Sequence, residues 1–347
     1  MDDIRKSLKK AISDQGWIYA DRQHRIGNPF EWVDGDLTAN LGAFTGVRGL
    51  LQYLSLFYEQ YPLPDSIKTE DYDQMRQYIE GVIRRLYNNL VPFEPAVDLD
   101  PKAYIESSAL VRAQDYSIIC SLCPDMKKKG INHLDIGSGI GSHAVYSLKG
   151  FDSCFYSIEA VSHTYAVQRD FYRFLSEGNP VYLDLVECEN FNLNNSQMKA
   201  LVNSFGQYKI KHVPSWHFGM IDDNSIDLVT ATWVLNEVTF SGIMWLISHC
   251  SRALKKGGYF YIRDSSKLKP LRHQINYDEL LIDLGFKEAG RANVRNRIDL
   301  HGIPRAYYKD TESSYNFFEL VDKCIGKFGI TVHGGDYVQN LPAGQIS

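Results

Sequence analysis

Asp135, Gly137, Gly139 and Gly141 stand at alternate positions in LDIGSGIGSHA, residues 134–144. Three glycines so close together cost backbone entropy and give nothing to a core. The main chain must be bare there because something approaches it more closely than a Cβ would allow. One device of this kind is Gly-x-Gly-x-x-Gly, which brings a turn and a helix N-terminus to a pyrophosphate. It would need glycines at 137, 139 and 142, and residue 142 is Ser. The pattern present is Asp-x-Gly-x-Gly-x-Gly. Cys120 and Cys123 are a second short motif, Cys-x-x-Cys, on a predicted helix among Ile118, Ile119 and Leu122. Zinc would want a second ligand pair at matching spacing, and none is evident. Two thiols on a buried helical face are expected.

The glycines need elements to hold them. Residues 131–136 are short and apolar and run into the turn, so they read as a buried strand. GIGSHAVYSLKG then fits a helix stopped by Gly150, DSCFYSIEA a strand ending at Glu159, and SHTYAVQRDFYRFLSEG a helix ending at Gly178. Further on, a strand is expected from Ile226, then a helix, a Gly-Gly stop, a strand ending near Asp264, a helix around 277–284 and a late strand at PRAYYKD. Strands alternating with helices give an α/β fold with a mostly parallel sheet. Between 181 and 213, VYLDLVEC and YKIKHVP compete as the third strand. The second, 208–213, is preferred for its distance from the strand at 226, and the other is left to an insertion. Residues 1–112 carry helical periodicity without glycine-turn strands and read as a helical cap or lid, joined by the linker VPFEPAVDLDP. The sheet domain is expected over 113–310, with a C-terminal helix and tail over 311–347.

The run Asp135–Gly141 resembles motif I of the class I methyltransferases, which use S-adenosylmethionine. DDNSIDLVTATWVLNEV resembles that family's fourth-strand segment, and LKKGGYFYI the approach to its fifth strand. The resemblance covers about residues 113–310. It implies a doubly wound, seven-stranded Rossmann-like sheet and S-adenosylmethionine as cofactor. It places Asp135 near the cofactor's methionine amino end and Gly137, Gly139 and Gly141 beneath its amino-acid and ribose parts. Glu159, 22 residues after Gly137 at the tip of the second strand, becomes the acid for the two ribose hydroxyls. A carboxylate accepts only, so it can take both O–H donors. Adenine falls near Ser215 and Trp216, with the indole available to stack on the purine. Thr232 and Trp233 fall on the methionine side. In many members the helix before motif I closes over the cofactor, which makes Tyr104, Glu106, Arg112 and Tyr116 candidates for a lid contact. An acid about 20 residues after a glycine turn also binds the ribose of NAD. Glu159 alone therefore does not separate the two readings, whereas the glycine spacing, Asp135 and the fourth-strand segment favour the methyltransferase.

Methyl transfer from a sulfonium is an in-line displacement that gains chiefly from positioning. A hydroxyl acceptor also gains from a general base. Glu237, just past the fourth strand, is the first candidate, and Asp264, past the fifth, is the second. His143, His273 and His301 follow. A helical N-terminal region before the domain, with 22 Tyr and 17 Phe in the chain, resembles sugar O-methyltransferases. That implies a hydroxyl on a sugar or other small molecule as acceptor. The alternatives are another small molecule or a protein side chain as N- or C-acceptor, an NAD-dependent oxidoreductase, and a non-catalytic scaffold. A scaffold has no need of the intact loop and its two acids.

Composition narrows the classes further. The chain has 347 residues with 44% apolar and 23% charged, enough to bury a substantial core. A net charge of −5 argues against a nucleic-acid partner. MDDIRKSLKKAISDQGW has no apolar core of a signal peptide, and no apolar run reaches membrane-spanning length. Six scattered cysteines fit a reducing compartment, so a cytoplasmic location without disulfides is expected. No cluster of side chains has metal-ligand spacing.

Overall fold

The structure is a computed structural model. Residues 1–69, 91–100, 129, 160–161, 178–180, 205, 233, 236–239, 265–275, 293–302 and 329–347 lie outside its described residues. Among the described residues the first helices are α1 (Glu70–Leu90) and α2 (Pro101–Leu122). Then follow β1 (Asn132–Ile136), α3 (His143–Gly150), β2 (Cys154–Glu159), α4 (Ser162–Leu175), β3 (Tyr182–Asp184), α5 (Leu185–Asn190), α6 (Asn195–Val202) and β4 (Ile210–Pro214). The second half holds β5 (Ile226–Thr232), α7 (Phe240–Ala253), β6 (Leu254–Arg263), α8 (Tyr277–Asp283), β7 (Phe286–Arg291), β8 (Arg305–Lys309) and α9 (Phe317–Phe328).

All strands join one sheet in the order β3-β4-β2-β1-β5-β6-β8-β7. Pairing is parallel from β3 to β6, and β8 pairs antiparallel with β6 and with β7. The α/β, mostly parallel architecture is as the sequence indicates, with eight strands among the described residues where the resemblance implies seven. The segment 208–213 does supply the neighbour of β2. VYLDLVEC adds the eighth strand, a three-residue β3 paired outside β4. It stops early because Asp184 turns the chain, its side chain capping α5 at Val186 N and Glu187 N.

The sheet is covered on both faces. On β1, Leu134 and Ile136 join the core with Val213, Val229, Ile243 and Phe260. His133 and Asp135 alternate to the opposite face, the one covered by α3. That second core also takes Ile79 and Ile83 of α1 and Tyr116, Ile118 and Ile119 of α2. Helix α2 therefore runs unbroken through the expected domain boundary at 112, and the described part of the N-terminal region is built into the sheet's own core. Its residues 113–119 are buried all round, as suits a helix with protein on every side. Tyr116 is packed against Tyr146 and Phe151, away from any lid role.

Two buried lysines fasten helix ends to the sheet. Lys211 on β4 donates to Val202 O and Ser204 O at the end of α6. Lys309 on β8 donates to Ser251 O and Leu254 O at the end of α7. Each ammonium meets carbonyls that a helix leaves unsatisfied, at the negative end of its dipole. No helix among the described residues is long and apolar enough to cross a membrane.

Candidate functional site

The chain leaves β1 for β2 and β4 on one side, then crosses back from β4 to β5 on the other side of β1. In an open α/β sheet this switch point opens a crevice beyond the strands' carboxyl ends. The glycine turn lies there. Gly137 begins it by donating its N–H to Ile158 O at the end of β2. The glycines then serve different ends. Gly141 has φ +91°, and a Cβ on it would lie 2.7 Å from Tyr172 Cε1. A Cβ on Gly137 would lie 2.7 Å from Val234 Cγ2. Both are close approaches to packed side chains. Gly139 has φ +56° and nothing within 4 Å of a Cβ position. It is the one of the three that faces open space.

Asp135 is fully buried. Thr230 Oγ1 donates to its Oδ1 at 2.6 Å and His143 Nδ1 to its Oδ2 at 2.7 Å. Because Thr230 gives its proton to a carboxylate, His133 Nε2 must donate to Thr230 Oγ1 at 2.8 Å. Burial keeps His133 neutral, its pKa pushed down to about 3. On the other side Arg112 Nη1 donates to His143 Nε2 at 2.6 Å, which fixes the Nδ1–H tautomer. Arg112 Nη1 also lies 3.3 Å from Asp115 Oδ2 and from Thr232 Oγ1. Arg263 and Tyr261 complete Asp115, donating to its Oδ1 at 2.7 and 2.8 Å. Asp115 is held well below the usual carboxylate range, with the Arg263 guanidinium overcoming burial. Asp135, expected near the amino end of a ligand, anchors β1, β5 and α3 from within. Arg112 is fastened to the same cluster, partly exposed at the tip of β5. His143 is the middle of the chain and not a surface residue.

Glu159 ends β2 and is 5% exposed. Gln168 on α4 donates from Nε2 to Glu159 Oε2 at 2.8 Å and to Gly139 O at 2.7 Å. Ser215 follows β4. Its hydroxyl is buried and has no hydrogen-bond partner among the described residues. Trp216 packs against Tyr165 and Val186, and its indole N–H donates to Glu189 Oε1 at 3.2 Å. The ring is thus anchored through α5 beside Ser215.

The two expected bases fare differently. Glu237 lies outside the described residues, as do Trp233, His273 and His301. Asp264 is buried, and its Oδ2 accepts from Val234 N at 3.1 Å and Leu235 N at 2.7 Å. It ties the turn after β5, whose Val234 closes on Gly137. This is a positioning role, at odds with a base turned to an acceptor. Nothing is described of the Tyr104 or Glu106 side chains. Burial pushes the Cys120 thiol up to about 11 and Cys123 higher still, so neither is poised for redox or metal chemistry. No group of His, Cys, Asp or Glu among the described residues could hold a metal ion.

No protein-family model matches the chain. No curated protein matches it in sequence. Among solved structures, it is similar to magnesium protoporphyrin IX methyltransferase from Synechocystis PCC 6803, with S-adenosylmethionine bound. Identity is 15%, coverage 70% of this chain and 98% of that one, and TM-score 0.38. A 1,6-didemethyltoxoflavin-N1-methyltransferase from Burkholderia thailandensis shares 12% identity over 73% of this chain and 94% of its own, with TM-score 0.36. Phosphoethanolamine N-methyltransferase 2 from Haemonchus contortus shares 19% over 50% of this chain, with TM-score 0.33. The match spans 36% of that last protein's length. Likenesses this distant carry no weight for reaction or acceptor.

Proposed function

We propose that the chain is an S-adenosylmethionine-dependent methyltransferase that O-methylates a hydroxyl of a sugar or other small molecule. The observation that carries this reading is the arrangement at the switch point. Gly139 is bare at the tip of β1, Glu159 stands at the tip of β2, and the orphaned Ser215 hydroxyl lies at the tip of β4. These three groups fit the cofactor in turn. Backbone at Gly139 would hold its amino-acid and ribose parts, Glu159 would accept from the ribose hydroxyls, and Ser215 would meet a polar edge of the purine. A buried hydroxyl without a partner is costly, and a ligand that satisfied it would offset that cost.

When bound, the cofactor supplies an electrophilic methyl group. The chain's residues supply position. Asp264 fixes the turn at Val234 and Leu235, Asp135 and His143 hold the loop to β5 and α3, and Thr232 and Arg112 border the methionine side. With Asp264 committed to backbone N–H groups, Glu237 is the base that draws the proton from the acceptor hydroxyl. Titration calorimetry with S-adenosylhomocysteine and with NAD tests the cofactor. Transfer of labelled methyl to a panel of glycosides, phenols and amines tests the acceptor. Binding of NAD with no response to S-adenosylhomocysteine overturns the assignment, and labelling of amines alone overturns the hydroxyl.

A further inference from the structure

Gln168 uses all four of its hydrogen-bonding positions while fully buried. Nε2 gives one proton to Gly139 O at 2.7 Å and one to Glu159 Oε2 at 2.8 Å. Oε1 accepts from His212 Nε2 at 2.8 Å and from Ser157 Oγ at 3.2 Å. The amide has one admissible orientation, because a carbonyl and a carboxylate face its nitrogen and neither can donate. That orientation obliges His212 to carry its proton on Nε2, which leaves Nδ1 an acceptor 3.1 Å from Tyr182 OH, whose one proton is shared with Asp184 Oδ2 at 3.2 Å. His212 is neutral, burial pushing its pKa down to about 3. Tyr165 stacks on the imidazole with ring centroids 3.4 Å apart, and its hydroxyl donates to Asp184 Oδ1 at 2.7 Å. Tyr182 and Asp184 belong to β3, the strand beyond the expected seven. The inserted strand thus closes over His212.

We propose that Gln168, locked by His212, is the positioning residue that gives Glu159 its specificity for a ligand's vicinal hydroxyls. A glutamine that only packed α4 on the sheet would not need its two donors divided between the glycine turn and the tip of β2. These are the two elements that would border the ribose. Fixing one Glu159 oxygen from behind sets the plane in which the carboxylate meets a pair of O–H donors. Fixing Gly139 O holds the bare turn at a constant distance from that carboxylate. The inference rests on the cofactor reading above.

The test compares S-adenosylhomocysteine with its 2′,3′-dideoxy analogue by calorimetry on the whole chain. Gln168→Glu keeps the acceptor for His212 and Ser157 and leaves at most one donor, since a buried carboxyl against Glu159 shares a proton with it. Gln168→Met removes the whole set at similar volume. The expected result is a loss of about tenfold or more for S-adenosylhomocysteine, with a change under about threefold for the dideoxy analogue. Equal losses for the two ligands would show a merely structural role and overturn the proposal, as would unchanged affinity for S-adenosylhomocysteine. In the wild-type chain, the Gln168 side-chain amide resonances should shift with S-adenosylhomocysteine and stay in place with the dideoxy analogue. Identical responses overturn the proposal even where neither variant folds. If the wild-type chain binds neither ligand, the cofactor assignment itself falls.

Discussion

Alanine at Gly139 and alanine at Gly141 should fail in opposite ways. At Gly139 the φ of +56° lies in the left-handed region, and no atom stands within 4 Å of the added methyl. The folding cost is then the backbone term alone, about 1–2 kcal/mol. At Gly141, φ is +91° and the methyl would sit 2.7 Å from Tyr172 Cε1 and 3.2 Å from Phe171 Cδ1. Both rings are fully buried and cannot swing away. Overpacking adds about 1–3 kcal/mol to at least the same backbone term, for a total of about 2–5 kcal/mol. Thermal unfolding should register roughly 3–7 °C of loss for Gly141→Ala and about 1–3 °C for Gly139→Ala. Ligand binding should invert the order. The Gly139 methyl points into the open space where the proposed ligand would lie, and a clash worth only about 1.4 kcal/mol is a tenfold loss of affinity. Scanning calorimetry and titration with S-adenosylhomocysteine measure both quantities. A Gly139→Ala protein as unstable as Gly141→Ala, or one that binds as the wild type does, would refute the division of roles within the loop.

Glu159→Gln should weaken S-adenosylhomocysteine by about ten- to a hundredfold through loss of a charged acceptor, with little change in melting temperature. An unchanged dissociation constant would place the diol elsewhere. Asp264→Ala should cost about 1–3 kcal/mol in urea unfolding, since Val234 N and Leu235 N lose their acceptor. Asp264→Asn, which keeps one carbonyl oxygen, should cost less and retain methyl transfer, and a folded but inactive Asp264→Asn enzyme would make the carboxylate a proton acceptor after all. His133, His212 and His249 have pKa values pushed down to about 3 by burial. The unfolded chain, with histidines near 6.5, binds protons that the native state refuses. Stability is therefore complete above about pH 6.5 and declines below it by about 1.4 kcal/mol per pH unit for each histidine. Urea midpoints that are equal at pH 7.5 and 5.5 would contradict that burial.

The strands around the glycine turn were legible because each is a short apolar run that ends in turn residues. Glu159 was legible because the turn sets the distance to the next strand tip. The interior of the site was less so. The carboxyl of Asp135 reads as free because its partner His143, eight residues on, reads in sequence as a candidate base and not as a donor to it. Only the packing of α2 against α3 brings Arg112 to the far side of that ring. Asp264 looked available for the same reason, since the backbone it holds comes from another strand. Gln168 passed unnoticed, yet it left a trace. Tyr165, Gln168, Phe171 and Tyr172 share one face of α4, and a lone amide on a buried aromatic stripe demands partners.

The two buried lysines give the sheet a pair of silent reporters. β4 and β8 are each second from an edge, on opposite sides of β1. Lys211 and Lys309 are 0% and 1% exposed, and burial lowers both pKa values. An amine-acylating reagent in water reaches neither while α6 and α7 stay seated. Once its helix end lifts, each amine regains its ordinary nucleophilic reach and takes the label. Pulse acylation read by mass spectrometry would therefore time the opening of the two flanks separately, without a dye or an engineered cysteine.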